Sequence, residues 1–162
     1  MIIKKNSGVT IVELLVVMGI LAVIFGTSSI LLLGSQKKAS LNSSINRLVV
    51  DLKEQQLKAM VGDTGGSGVA SPSGVYFNKT NYVLFRGQTF NSADPSNYVT
   101  NLDYGFQFSP INLVNSQIQF TPVTGTVSGY LVNSDNFSLT DPNTNEQKTI
   151  KINKLGAVIS IN

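Results

Sequence analysis

A predominantly apolar run of 25 residues near the start of this chain limits its possible folds more than any other feature. The run extends over Val9–Leu33 and contains a single charged side chain, Glu13. A helix of about 20 residues crosses a hydrocarbon core that is ~30 Å thick. A secretory signal peptide has a shorter apolar region followed by a small-residue cleavage site, and neither is present here. The sequence therefore predicts a transmembrane helix half at residues 9–34, preceded by a short polar head at residues 1–8.

The predicted helix continues beyond the apolar run. Residues 35–61 contain no proline, and apolar side chains recur in them at helical spacing. We expect this amphipathic half to bury one apolar stripe against the rest of the protein and to end at Gly62. The stripe consists of Leu41, Ile45, Leu48 and Leu52, and its spacing continues at Ala59 and Met60. The charged side chains expected to stay largely in water are Lys37, Arg47, Asp51 and Lys58.

After the helix, the composition changes to a linker and then to short strands. Residues 62–74 are rich in glycine and serine, which predicts a flexible linker. In residues 75–162, β-branched and aromatic runs alternate with turn residues, the pattern of an antiparallel β domain. The predicted fold class is therefore α+β, a long N-terminal helix packed on a C-terminal antiparallel β-sheet domain. The predicted strands are 75–77, 82–86, 102–108, 117–121, 126–132, 137–140, 149–153 and 157–161.

The composition argues against catalysis. The chain contains no cysteine, histidine or tryptophan, so it lacks thiolate nucleophiles, imidazole bases and the usual zinc ligands. We expect a protein that is not an enzyme and has no catalytic, cofactor-binding or metal-binding residues. Residues 35–61 carry five cations against two anions, whereas residues 62–162 carry five against six. The C-terminal domain is therefore close to neutral, without the basic patch typical of nucleic-acid binding.

The segment Ser7–Val17, SGVTIVELLVV, resembles the N-terminal motif of type IV prepilins and type II secretion pseudopilins. The resemblance implies cleavage after Gly8 by a prepilin peptidase and N-methylation of the new N-terminus, Val9, where the family usually has Phe or Met. It also implies that Glu13 directs filament assembly. An ionisable side chain in an apolar helix costs about 2.5 to 3.5 kcal/mol on insertion scales. Such a side chain normally has a partner that offsets this cost, and the N-terminal ammonium of a neighbouring subunit would be one. The alternative is an ordinary glutamate near the helix end that snorkels to the lipid headgroups.

The same resemblance implies a location and a set of partners. The chain is expected to cross the cytoplasmic (inner) membrane once, with its C-terminal domain outside the cytoplasm, and then to enter a pilus or pseudopilus filament. Its expected partners are the prepilin peptidase, the membrane and other pilin or pseudopilin subunits. No cofactor is implied.

The C-terminal domain resembles the H-type minor pseudopilins and related minor pilins. The resembling segments are a hairpin (VYFN…YVLFRG), a central IQFTPVTGTVSG and a closing KTIKINKLGAVISIN. Phe120–Gly125 and Gly156 match the phenylalanine-to-glycine stretch and the hairpin glycine of that group. The first proline is Pro72, whereas many major pilins carry one in the membrane-spanning helix. These features favour a minor subunit, and a major pilin or a DNA-binding minor pilin of a competence or uptake system are the alternatives.

The DNA-binding alternative depends on the closing hairpin, where some minor pilins of this group carry arginines. No arginine lies beside Gly156, and the nearby cations are Lys148, Lys151 and Lys154. Because side chains alternate along a strand, Lys148 and Lys151 should point to opposite faces. We therefore expect no continuous basic stripe for phosphates and no nucleic-acid partner.

Overall fold

The computed structural model describes the backbone of residues 8–162, with the side chains of 27–37 excluded. One long helix, α1, spans Ile11–Met60. The chain divides within this helix into two compact units, with the boundary between Ala39 and Ser40. The second unit contains the end of α1 and all the strands. The predicted α+β fold, an N-terminal helix packed on antiparallel strands, is confirmed.

Within residues 8–162, eight strands form two antiparallel sheets. Their bounds are β1 Ser73–Phe77, β2 Asn81–Arg86, β3 Tyr98–Asn101, β4 Gln107–Leu113, β5 Gln117–Phe120, β6 Asp135–Thr140, β7 Gln147–Ile152 and β8 Val158–Ile161. The first sheet has the order β3-β2-β1-β5 and the second the order β4-β6-β7-β8. The chain crosses between the sheets at β4, β5 and β6, so neither sheet is built from one continuous stretch of sequence.

The two predicted hairpins are present. β1 and β2 pair with Phe77 opposite Tyr82, so the turn lies where the polar residues 78–81 predicted it. β7 and β8 pair around the predicted turn, in which the Gly156 N–H donates to the Asn153 carbonyl. Gly156 adopts a positive φ of 76°, which L side chains rarely adopt, and this explains a glycine at that position.

The predicted strand at 102–108 is confirmed only at Gln107 and Phe108, the first residues of β4, and is wrong for residues 102–106. A turn interrupts it, in which Tyr104 and Gly105 have positive φ angles and the Phe106 N–H donates to the Asp103 carbonyl. β3 ends before this turn and β4 begins after it. The apolar side chain of Phe106 is nevertheless buried in the core, at 1% exposure. Its burial, rather than strand pairing, explains the apolar residue in this segment.

The predicted strand at 126–132 is also wrong. Gly125 and Gly129 both have positive φ angles, which bend the chain at each end of the short segment between them. Val127 forms an isolated antiparallel bridge with Phe120 instead of a strand. The Val127 N–H donates to the Lys154 carbonyl, so the segment joins the closing hairpin.

The core lies between the outer half of α1 and both sheets. The predicted stripe is confirmed, because its four members from Leu41 to Leu52 are at most 3% exposed. Phe77 of β1 contacts Phe137 of β6, with ring centroids 4.5 Å apart, so the two sheets share one core. Each fully buried side chain of this size contributes about 1.5 to 3 kcal/mol. Met60 departs from the predicted stripe, since it is 47% exposed.

Two of the charged residues predicted to lie in water are partly shielded. Arg47 is exposed, but Asp51 is half-buried and accepts a hydrogen bond from the Tyr82 hydroxyl. Lys58 is half-buried and pairs with Glu54, with 2.7 Å between Nζ and Oε1. The prediction for the Lys37 side chain lies outside the described residues.

The end of α1 is a Schellman motif. The Gly62 N–H donates to the Ala59 carbonyl and the Asp63 N–H to the Lys58 carbonyl. Gly62 has φ +68°, so the predicted stop is confirmed. Arg86 of β2 then pairs with Asp63, at 3.2 Å, and connects the start of the linker to the first sheet.

Candidate processing and assembly site

The helix α1 begins at Ile11, three residues after Gly8. Thr10 caps it, since the Thr10 Oγ1 accepts a hydrogen bond from the Glu13 N–H at 3.2 Å and the Thr10 carbonyl accepts one from the Leu14 N–H. A threonine followed three residues later by glutamate is the sequence signature of a capping box. The sequence contains this signature, but the prediction from the N-terminal motif did not include Thr10 as the helix cap.

Gly8 and Val9 lie outside the helix. Both are exposed, Val9 at 71%, and a Cβ placed on Gly8 would meet no described atom within 4 Å. A peptidase needs an accessible peptide bond that is not held in a helical hydrogen bond, and the bond between these residues meets that condition. Packing within the described chain does not explain the glycine. The predicted head, residues 1–8, lies outside the described residues apart from Gly8.

Glu13 lies in the first turn of α1 on an apolar surface. The large apolar side chains described around it are at least half exposed, among them Ile11 at 80% and Leu15 at 62%. A continuous exposed apolar surface of this kind needs lipid or protein against it. The Glu13 carboxylate therefore lies within an exposed apolar part of the described helix, where lipid or protein rather than water is expected to surround it. Its position at a helix N-terminus is favourable, because the first-turn N–H groups carry partial positive charge.

The predicted transmembrane half, 9–34, is only partly covered by the structure, since the side chains of 27–34 lie outside the described residues. Within the described part of the chain, no helical stretch combines the length and the hydropathy needed to cross a membrane.

A comparison with protein families bears directly on this segment. The model of the prokaryotic N-terminal methylation motif matches residues 3–34, about a fifth of the chain. The N-terminus carries a prepilin methylation motif. This motif indicates a pilin-like protein that is processed by a prepilin peptidase and assembles with other pilin subunits. It fits a membrane-anchored precursor that enters a filament. No curated protein and no solved structure matched the chain.

In the closing hairpin, Lys148 and Lys151 are half-buried and Lys154 is exposed. Lys151 lies 3.5 Å from Asp135, which is 1% exposed. Burial alone would raise the pKa of Asp135, but hydrogen bonds from Asn136 and Tyr130 and the nearby Lys151 ammonium hold that pKa below its usual range. The Lys151 ammonium thus partly neutralises the buried Asp135 carboxylate. Less of the Lys151 charge is therefore available to an external ligand.

Proposed function

We propose that this protein is a minor subunit of a type IV pilus or type II secretion pseudopilus, cleaved after Gly8 and assembled through Glu13. The carrying observation is the start of α1. An exposed glycine precedes a capped helix, and that helix presents one carboxylate on an otherwise apolar surface. The methylation motif at residues 3–34 supports the same role. The role is structural rather than enzymatic, in keeping with a sequence that has no histidine or cysteine.

Cleavage creates the ammonium group that we expect to pair with the Glu13 carboxylate. Removal of residues 1–8 creates an ammonium group at Val9, one residue before the Thr10 cap. In a filament, the ammonium of one subunit can approach the Glu13 carboxylate of the next within a low-dielectric helix bundle. Removing one partner of a buried ion pair costs about 3 to 5 kcal/mol, because the other charge is left uncompensated. Assembly should therefore require both cleavage and Glu13, whereas membrane insertion should require neither.

Mass spectrometry tests the cleavage site. In cells with an active prepilin peptidase, the mature chain should start at Val9, with methylation expected on its amine. A chain that retains Met1 in such cells would contradict the proposal.

Assembly is tested with Glu13→Gln, which keeps the side-chain shape and removes the charge. The variant should be processed and membrane-resident but depleted from sheared filaments. Glu54→Gln is the matched control, because Glu54 lies on the same helix, is exposed and pairs only with Lys58 among the described residues. A subunit at the very tip has no neighbour above it, so pull-down with other minor subunits should accompany filament yield. Normal incorporation of Glu13→Gln in both assays would refute the assembly role.

The minor rather than major role is supported by the absence of proline before Pro72 and by the resemblance of the C-terminal domain to the H-type group. Quantitative mass spectrometry of sheared filaments tests it. A minor subunit should be far less abundant than the principal pilin of the same filament, and equal or greater abundance would favour a major pilin.

A further inference from the structure

The strand β3 is an unprotected edge of the first sheet. An exposed edge strand is a template for pairing with another chain, and proteins usually block it with a proline, a bulge or a covering segment. Among the other edge strands described, Pro110 and a register shift interrupt β4, and a register shift interrupts β8. Residues 126–128 lie along β5, joined to it by the bridge between Val127 and Phe120. β3 pairs with β2 in a regular register and has none of these devices among the described residues.

Two residues of β3 direct their backbone hydrogen-bonding groups away from the sheet. The Leu102 N–H donates to the Thr80 carbonyl, which shows where the hydrogen-bonded pairs between β2 and β3 fall. Such pairs alternate with non-hydrogen-bonded pairs along an antiparallel ladder. The backbone groups of Thr100 therefore face β2, whereas those of Val99 and Asn101 face the free edge. Both of these residues are exposed, so two N–H groups and two carbonyls are available to a further strand.

Two cavities lie beside β3 on the side that faces α1, within the second compact unit. Tyr98 borders a cleft of about 460 Å³, and Asn101 borders a smaller cavity of about 140 Å³. Arg47 of α1 borders both. Because side chains alternate between the two faces of a strand, a strand added to β3 would direct every second side chain towards α1. The exposed ring of Tyr98 would then contact a cross-strand neighbour.

The charges around the larger cleft leave one cation without a counter-ion. The charged side chains that line the cleft are Arg47, Asp51, Glu54, Lys58 and Arg86. Lys58 and Glu54 pair with each other, and Arg86 pairs with the aspartate of the linker. The Asp51 carboxylate accepts a hydrogen bond from a hydroxyl of β2. Arg47 is exposed and has no ion pair within the part of the chain that the structure describes. A guanidinium in this state suits a carboxylate.

We propose that β3 and Arg47 bind an extended segment of another protein, which adds a strand to the first sheet and places an acidic side chain against the Arg47 guanidinium. In strand addition, main-chain hydrogen bonds provide affinity and side-chain pockets provide specificity. The acid is expected near Tyr98, because the Asp103 carboxylate borders the smaller cavity at the other end of β3. A second copy of β3 has no acidic residue to offer Arg47. The site lies apart in sequence from Gly8 and Glu13, so this binding goes beyond the proposed filament role.

The probe is a library of peptides of about seven residues, the length of an ordinary strand, with glutamate or glutamine at the centre and the other positions varied. The full-length chain in a neutral detergent selects binders, and fluorescence anisotropy of labelled peptides measures their Kd. We expect glutamate peptides to be preferred, the best with a Kd of about 100 μM. Arg47→Gln should weaken binding of that peptide about tenfold and hardly affect its glutamine analogue. Lys53→Gln is the matched control, because Lys53 is exposed on α1 and lies outside the cleft lining.

Strand pairing itself is tested with Val99→Pro, which removes an N–H from the free edge and leaves the bonds to β2 in place. Peptide binding should fall at least about tenfold, whereas Val99→Thr, which keeps the N–H, should bind like the wild type.

N-methylated peptides give the same information even if Val99→Pro fails to fold. Because a strand pairs through one edge, methylating one alternate set of peptide nitrogens should abolish binding, and methylating the other set should not. The proposal is overturned if no peptide binds at ~1 mM, if glutamate gives no preference, or if Val99→Pro or both methylated sets bind undiminished. Dimerisation of the chain that Val99→Pro abolishes would assign the edge to a second copy and equally overturn it.

Discussion

Gly156 in the closing hairpin is a position where one added methyl group should destabilise the domain strongly. A Cβ at this residue would lie 2.6 Å from Cε1 of Phe120 and 2.7 Å from Nε2 of Gln56. Phe120 is 1% exposed and has no space into which to retreat. Gln56 is held because its Nε2 donates to the carbonyls of Gly125 and Leu155.

The cost of Gly156→Ala has three sources. A left-handed conformation costs an L residue roughly 1 to 2 kcal/mol. Forcing a methyl group into packed surroundings costs about 1 to 3 kcal/mol. Displacing Gln56 weakens two hydrogen bonds worth about 0.5 to 1.5 kcal/mol each. Because some of these contributions relieve one another, we expect a total of about 3 to 5 kcal/mol. Gly129→Ala is the matched control, because Gly129 has φ +62° with no described atom within 4 Å of its Cβ position. It should cost only about 1 to 2 kcal/mol.

Urea and thermal denaturation of residues 35–162, followed by circular dichroism, measure the difference. We expect this fragment to fold as a monomer, since the unit from Ser40 onward contains the described core. Gly156→Ala should melt at least ~8 °C below Gly129→Ala. Equal losses in the two variants would refute the argument from contact with Phe120 and Gln56. A fragment that aggregates or stays unfolded would show instead that the helix stripe is an intersubunit surface.

Other substitutions test the core and two buried polar contacts in the same fragment. Leu48→Ala should cost about 2 to 5 kcal/mol in urea denaturation, whereas Leu57→Ala, at a position 59% exposed, should cost far less. Burial, and then the hydrogen bond to Asp51, raises the pKa of Tyr82 above its ordinary value of 10. Stability should therefore fall as the pH rises above about 10, and it should fall less steeply in Tyr82→Phe; equal slopes would contradict this. The pKa of Asp135 is lowered, so its contribution is present above about pH 3.8 and lost below it. Asp135→Asn should cost about 1 to 3 kcal/mol near neutral pH, and its difference from the wild type should shrink in acid.

Features that depend on neighbours in the chain were predictable from the sequence. The helix stop at Gly62, the stripe from Leu41 to Leu52 and both tight hairpins follow from periodicity and turn residues. The N-cap at Thr10 was equally visible in the spacing of Thr10 and Glu13. The sequence-based strand at 126–132 failed because Gly125 and Gly129, both with positive φ angles, bend the chain before it and within it.

The sequence by itself determined the long helix, six of the eight predicted strands and the prepilin-like motif at the N-terminus, because these properties depend on residues a few positions apart. The tertiary structure decided how the strands divide into two sheets and that Phe77 and Phe137 join them in one core. It alone placed the Tyr82 hydroxyl of β2 beside the Asp51 carboxylate of α1. These contacts join residues that are far apart in the sequence, and many pairings of strands would satisfy the same alternating pattern. The geometry that buries the most apolar surface selects among them, and local sequence does not encode that choice.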